Sequence, residues 1–249
     1  MTALNPMSRV VLLTCILIAM PSLSEAAPPV SNASNSNPNR ENSPQATSSR
    51  GKVVFEEDFE DGTGRWDVLD PETWTLTKTS AAKGENTTFG ITARKSDYVP
   101  PHRSPFHVAL IKDIECKDFE ISFRVRSTLD TGNHRDCCVF FNYQDDRHFY
   151  YVHLGAKPDP HSGQIMIVND APRLAMTANE KKVPWDNDWH HVRGVRRSKE
   201  STIDVFFDDM SKPHMSVKDD TFVGGRMGIG SFDDLNEFDD LVVRCGIDD

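Results

Sequence analysis

Positive charge is scarce in this sequence. Its 28 Lys and Arg residues are outnumbered by 38 Asp and Glu residues, which gives a formal net charge of -10, and the basic residues form no cluster. Nucleic acids and anionic membrane surfaces both select for a concentrated basic surface. We therefore expect neither nucleic acid nor a membrane among the partners of the processed protein.

Long apolar runs are also missing, apart from one near the start. The apolar stretch 10–20 follows Ser8-Arg9, and it matches a signal-peptide core while being too short to span a bilayer. The small residues Ser24 and Ala26 predict cleavage after position 26. We predict a signal peptide over 1–26 and a secreted protein, extracellular or periplasmic, with a retained amino-terminal anchor as the alternative.

The next stretch, 27–51, has almost no apolar side chains and is rich in Ser, Asn and Pro. Such a composition cannot bury enough surface to offset the cost of ordering the backbone. We predict a disordered leader over 27–51, followed by one folded domain over 52–249. All-β sandwiches often reach this size as a single domain.

Cysteine is sparse, and four of the five cysteines follow the leader. An oxidising compartment permits disulfides. Cys137 and Cys138 are neighbours on a predicted strand, so their side chains point to opposite faces and a bond between them would be strained. Four cysteines allow three connectivities. We favour Cys116 with Cys245, at the ends of two strands that we expect to be adjacent.

Several catalytic motifs are absent from the sequence. There is no His-Glu-x-x-His, no pair of Cys-x-x-Cys motifs, no Gly-x-Ser-x-Gly and no Gly-rich phosphate loop. These absences argue against a zinc site, a serine hydrolase and a nucleotide-dependent enzyme. His148 and His153 lie on opposite faces of a predicted strand and could not bind one metal ion together.

Period-two alternation of apolar and polar residues dominates the folded part, and no segment longer than a turn or two shows helical periodicity. Turn residues such as Asp-Gly and Gly-Gly separate the alternating segments. Many short strands in series predict antiparallel pairing and an all-β, two-sheet sandwich. The predicted strands are 53–59, 74–79, 88–94, 107–111, 118–127, 137–143, 149–155, 164–169, 190–196, 202–208, 226–231 and 239–245.

The order of these segments resembles a concanavalin A-like or laminin G-like jelly roll. The resemblance rests on Phe-Glu-Ile-Ser-Phe-Arg-Val at 119–125, Trp-His-His-Val-Arg at 189–193 and Gly-Ile-Gly-Ser-Phe at 228–232, among others, and covers nearly all of the folded part. The layout is also similar to the secreted 3-keto-disaccharide hydrolase domain family, which is related to family 16 glycoside hydrolases. The resemblance implies the fold more specifically than the activity, because such sandwiches include lectins, hydrolases, lyases and adhesive modules.

Three functions are compatible with the predicted jelly-roll fold. We favour recognition of a polysaccharide or oligosaccharide in a concave groove. The alternatives are a glycan-degrading hydrolase or lyase, and an adhesive module that binds protein. Sugar binding needs a flat aromatic ring beside planar polar side chains. The candidate binding residues are Tyr150, Tyr151, His153, Trp185, Arg103, Asn169 and Arg173.

The segment around 148–153 carries the candidates for catalysis. A His or Tyr beside an Arg can remove a proton next to a uronic carboxylate, as in the jelly-roll lyases that this layout also resembles. The catalytic candidates are His153, Tyr151, His148 and Arg135. The lyase strand motifs Arg-x-Glu-x-Arg and Gln-Ile-His are missing.

Carboxylates near the start of the domain offer two further interpretations. Glu56, Asp58 and Glu60 share one strand face and resemble the Glu-x-Asp-x-Glu motif of family 16 glycosidases, but their place on an expected edge strand favours a solvated edge. Resemblance to calcium-stabilised jelly rolls implies instead one structural Ca²⁺ ligated by Asp58 and Asp239. Plain surface acidity is the alternative to both.

Overall fold

The computed structural model describes residues 51–81 and 84–247, and strands form most of its regular structure. The predicted signal peptide and all but the last residue of the predicted leader lie outside the described residues. No helix of the described ranges is long and apolar enough to cross a membrane. The strands are β1 (Lys52–Glu57), β2 (Trp66–Val68), β3 (Trp74–Ala81), β4 (Gly84–Ile91), β5 (His107–Ile111), β6 (Phe119–Ser127), β7 (Cys138–Asp145), β8 (His148–His153), β9 (Gln164–Asn169), β10 (Leu174–Ala175), β11 (His190–Arg197), β12 (Thr202–Phe207), β13 (Met215–Lys218), β14 (Arg226–Ser231) and β15 (Asn236–Cys245).

The strands form two antiparallel sheets packed as a sandwich, as the sequence predicts. One sheet has the order β13-β12-β11-β6-β15-β4-β3, with β1 also paired to β15, and the other has the order β10-β9-β8-β7-β14-β5-β2. Thus the first and last strands are neighbours. Some paired strands are far apart in the sequence: β15, for example, pairs with β6.

Alternation explains how each sheet presents its faces. In β6 the odd-numbered residues Phe119, Ile121, Phe123 and Val125 are fully buried, while the even-numbered residues between them are half-exposed. The buried side chains of both sheets meet in one apolar core, which includes Phe238 of β15. Burying such side chains contributes roughly 1.5–3 kcal/mol each.

The seven-stranded sheet is buried on its other face as well. A second apolar cluster lies there, made by Val108, Leu110, Cys138, Phe140, Tyr143, Phe149, Tyr151, Met166, Val168 and Phe232. Tyr98 and Phe106, from the segment between β4 and β5, pack against it. We call this face the outer face; the segment covers part of it and leaves polar residues at one end.

A disulfide joins Cys116, just before β6, to Cys245 at the end of β15, with the two Cα atoms 5.9 Å apart. Cys137 and Cys138 are free and buried. Cys137 belongs to the core between the sheets and Cys138 to the outer-face cluster, so neighbouring cysteines occupy opposite faces.

Candidate functional site

A cavity of about 400 Å³ opens at the end of the outer face where β8 finishes. We call it the His153 pocket. Its walls come from parts of the chain far apart in sequence, including Arg103 before β5, Asp136 before β7, Arg173 before β10 and Phe232 after β14. Its volume lies within the range of ligand pockets, about 300–1,000 Å³.

Strand pairing positions His153 in this pocket. His153 lies directly opposite Cys138 in the β7–β8 ladder. The ladder continues past the strand ends, because the Leu154 N–H donates to the Cys137 carbonyl and the Ala156 N–H to the Arg135 carbonyl, at 2.9 and 2.8 Å. This continuation holds the segment around Arg135 beside the segment that follows His153.

The pocket is basic, although the chain as a whole is acidic. Its lining contains four Lys or Arg residues and three Asp residues, namely Arg103, Arg135, Lys157 and Arg173 against Asp136, Asp159 and Asp233. One carboxylate and one guanidinium of the lining have partners outside it: Asp233 pairs with Arg94 at 2.6 Å, and Arg135 pairs with Asp130 at 3.0 Å. The remaining positive charge favours an anionic ligand.

Arg173 lines the pocket and packs on an aromatic ring. Its guanidinium lies 4.6 Å from the centre of the Phe232 ring. Its buried Nε and Nη1 atoms have no hydrogen-bond partner, and no ion pair of the described ranges includes it. Buried donors are normally satisfied in native structures, so this guanidinium is suited to an anion from solution.

A buried Asp–His pair forms the floor of the pocket. Asp136 Oδ1 accepts hydrogen bonds from Ser231 Oγ at 2.8 Å and the Phe232 N–H at 3.0 Å, and lies 3.8 Å from His153 Nε2. Burial opposes the ionised form, but the electrostatic interaction with His153 and the hydrogen bonds from Ser231 and Phe232 outweigh it and hold the pKa of Asp136 below its usual value. The floor therefore holds the Asp136 carboxylate beside His153, beneath a basic rim.

Four of the residues predicted from sequence meet in this pocket: Arg103, Arg135, His153 and Arg173. Arg135 is buried and donates to Asn187, and its guanidinium lies 3.0 Å from Asp130. It also lines a second cavity of about 560 Å³ that contains Trp185. Trp185 thus lies outside the His153 pocket, and its Nε1 donates to the Leu154 carbonyl at 2.7 Å.

The two predicted tyrosines are inaccessible to a sugar. Tyr150 is fully buried between the sheets, where its hydroxyl donates to Asp219 and accepts the Phe222 N–H. Burial and the Asp219 bond raise the pKa of Tyr150 to about 12. Tyr151 is fully buried in the outer-face cluster, and burial raises its pKa as well. Neither side chain can contact a ligand without rearrangement of its surroundings.

His148 and Asn169 lie at the opposite end of β8 from the pocket. They pair with each other across β8 and β9. His148 Nδ1 is 2.8 Å from Asp145 Oδ1 at a turn. His148 and His153 are the first and last residues of β8. A strand of six residues is roughly 17 Å long, so His148 and its partner Asn169 lie too far from His153 to share a site with it.

The predicted calcium ligands already have protein partners. Asp239 is buried, and its Oδ2 accepts from Arg124 at 2.9 Å and from Asn86 at 3.2 Å. Asp58 is exposed and accepts the Glu60 N–H at 3.2 Å. Calcium binding stays a prediction, and it would require Asp239 to exchange the positive charge of Arg124 for that of the ion.

One group of side chains was not predicted from the sequence. Asp136, Cys138 and His153 are all buried, and one ligand atom from each lies within 4.8 Å of the others. Familiar spacing motifs do not describe this group. Its signal is Asp-x-Cys at the start of one strand, with a His directly opposite the Cys on the next strand. This signal can be recognised only when the register of the two strands is known.

No known family model matches this chain, and no curated protein matches it. Among solved structures, it is similar to the GH43 protein BlXynB from Bacillus licheniformis, with a TM-score of 0.50 and 11% identity over 76% of this chain and 39% of that one. It is also similar to the carbohydrate binding module CBM66 from Bacillus subtilis, with a TM-score of 0.48 and 17% identity over 69% of this chain and 95% of that one. At these identities the likeness shows the β-sandwich fold alone.

Proposed function

We propose that this protein is a secreted glycan-binding domain whose His153 pocket binds an acidic sugar residue of a polysaccharide or oligosaccharide. The observation that carries the proposal is the unpaired guanidinium of Arg173 in a net basic pocket of an acidic chain. A guanidinium binds carboxylate or sulfate through two parallel hydrogen bonds, and neutral sugars lack such a group.

The other lining residues fit a sugar as well as its acid group. Phe232 supplies an apolar surface, with the His153 ring 4.8 Å from it. Arg103 and Lys157 are exposed at the rim, where they can donate to hydroxyl or further acid groups. A small apolar surface flanked by a few directed polar groups is the usual composition of a ligand pocket.

Calorimetric titration of the purified protein with matched neutral, uronic and sulfated oligosaccharides tests the proposal. We expect the acidic forms to bind and the neutral form to bind at least about tenfold more weakly, because a hydrogen bond to a charged group contributes about 1.5–3 kcal/mol. Equal affinity for the neutral form, or no binding to any glycan, would contradict the proposal.

Arg173→Met and Arg147→Met form a matched pair of variants. The first keeps an apolar stem over Phe232 and removes the charge from the pocket, while the second removes an exposed arginine that pairs with Asp170 at 2.9 Å at the far end of β8. Affinity for the acidic oligosaccharide should fall about tenfold or more in Arg173→Met and stay nearly constant in Arg147→Met. Assay of the same mixtures for reducing ends and unsaturated products distinguishes binding from the enzymatic alternative.

A further inference from the structure

Asp136, Cys138 and His153 point to the same side of the seven-stranded sheet. Asp136 and Cys138 are two residues apart on an extended segment, and His153 is the register partner of Cys138 on β8. Residues two apart on a strand share a face, and directly opposed residues have their Cβ atoms about 4.5–5.5 Å apart. The backbone therefore brings a carboxylate, a thiol and an imidazole together, with their ligand atoms within 4.8 Å of one another.

The hydrogen bonds around these side chains orient their lone pairs. His153 Nδ1 lies 2.8 Å from the His161 carbonyl, which can only accept, so Nδ1 carries a proton and, in the neutral ring, Nε2 is the nitrogen with a free lone pair. Nε2 lies 3.8 Å from Asp136 Oδ1. A backbone carbonyl that fixes the tautomer of an imidazole in this way is the usual outer partner of a metal-binding histidine.

We propose that Asp136, Cys138 and His153 bind a divalent transition-metal ion, with Zn²⁺ as the first candidate. One sulfur, one nitrogen and one oxygen ligand suit zinc, which prefers four-coordinate geometry with bonds of about 2.0–2.3 Å. Binding would release the Cys138 thiol proton to solvent. The resulting thiolate and the Asp136 carboxylate together balance the two positive charges of the ion.

The fourth ligand would come from the His153 pocket. Asp136 and His153 line that cavity, whereas Cys138 lies beneath it in the outer-face cluster. Three protein ligands with one position left for water or another small ligand is the arrangement of open zinc sites. The inference concerns the floor of the pocket and does not depend on which ligand the basic rim binds.

Titration of the metal-free, reduced full chain with Co²⁺ tests this proposal without any glycan. Cobalt replaces zinc and reports its ligands by absorbance, with a thiolate-to-cobalt charge-transfer band in the near ultraviolet and visible bands of tetrahedral intensity. We expect both signals at one ion per chain and their loss when Zn²⁺ is added. We also expect the cobalt affinity to fall about tenfold or more in His153→Gln.

The neighbouring cysteine provides the control. Cys137→Ser alters a buried cysteine on the opposite face and should keep the charge-transfer band, while Cys138→Ser should lose it. Circular dichroism confirms that each variant is folded. If Cys138→Ser unfolds, Asp136→Asn, which keeps an acceptor for Ser231, should keep the band but lower the cobalt affinity about tenfold or more, and an unchanged affinity in folded Asp136→Asn would contradict the proposal. Absence of the band in the folded wild-type protein, or its persistence in folded Cys138→Ser, would overturn the proposal.

Discussion

At the scale of single residues, burial determines which histidines can gain a proton. His107 is fully buried, and its Nδ1 lies 2.8 Å from the Phe232 carbonyl, which makes Nδ1 the donor. Its Nε2 is buried without a hydrogen-bond partner. Burial therefore lowers the pKa of His107, and the carbonyl bond and the charges of Asp136 and Asp70 only partly offset that effect.

This lowered pKa predicts a loss of stability in mild acid. Below the ordinary pKa of 6.5, the unfolded chain protonates His107 while the folded chain keeps it neutral. The unfolded state then binds more protons, so the free energy of unfolding falls as the pH falls, by about 1.4 kcal/mol for each unit of pKa difference. His107→Asn keeps a donor near the Phe232 carbonyl and should reduce this slope in urea unfolding measured from pH 7 to pH 5.

An exposed histidine gives the comparison for that measurement. His191→Asn removes a solvent-facing ring from β11 and serves as the control for the loss of one imidazole. Equal slopes for all three proteins would mean that His107 does not titrate differently in the folded and unfolded states.

At the scale of elements, long alternating segments were predictable and very short strands were not. The strands β6 and β11 lie where the alternation places them, because eight or more residues repeat the pattern several times. The strands β2, β10 and β13 have only three, two and four residues and have no counterpart among the predicted strands. β10 and β13 pair with the strands just before them, β9 and β12, and β2 pairs with the more distant β5. Two to four residues repeat the alternation too few times for a pattern to be recognised.

The disulfide between Cys116 and Cys245 gives a prediction at this scale. It closes a loop over a sequence separation of 129 residues and ties the end of β15 to the segment before β6. A bond across so long a loop restricts the unfolded chain, and its loss typically lowers the free energy of unfolding by about 2–5 kcal/mol. We expect this decrease in the double variant Cys116→Ser, Cys245→Ser, measured by urea unfolding.

Chemical reduction of the disulfide independently checks the expected decrease in the free energy of unfolding. Wild-type protein treated with a thiol reductant should unfold at the same urea concentration as the double variant, because Cys137 and Cys138 are already free. An unchanged midpoint in the double variant would show that the bond contributes nothing to stability.

At the scale of the whole molecule, the covered outer face of the seven-stranded sheet restricts the candidate site to one end of that sheet. Alternation correctly separates Tyr150 from Tyr151 by face, but it could not show that both faces of this sheet are buried. The concave groove predicted from the sequence stays a prediction, and Tyr98 and Phe106 pack over part of the outer face. Arg103, Arg135, His153 and Arg173 were individually predictable as polar candidates, but only the fold shows that they meet at one end.

This covering predicts how binding should depend on glycan length. A pocket of about 400 Å³ at the end of a covered sheet holds few sugars, so affinity for an acidic oligosaccharide should level off at roughly three units. Calorimetric titration from the disaccharide to the hexasaccharide of one acidic series measures this dependence. A groove running across the sheet would instead give an affinity that rises with each added sugar, and that result would mean that the segment between β4 and β5 moves away from the outer face when glycan binds.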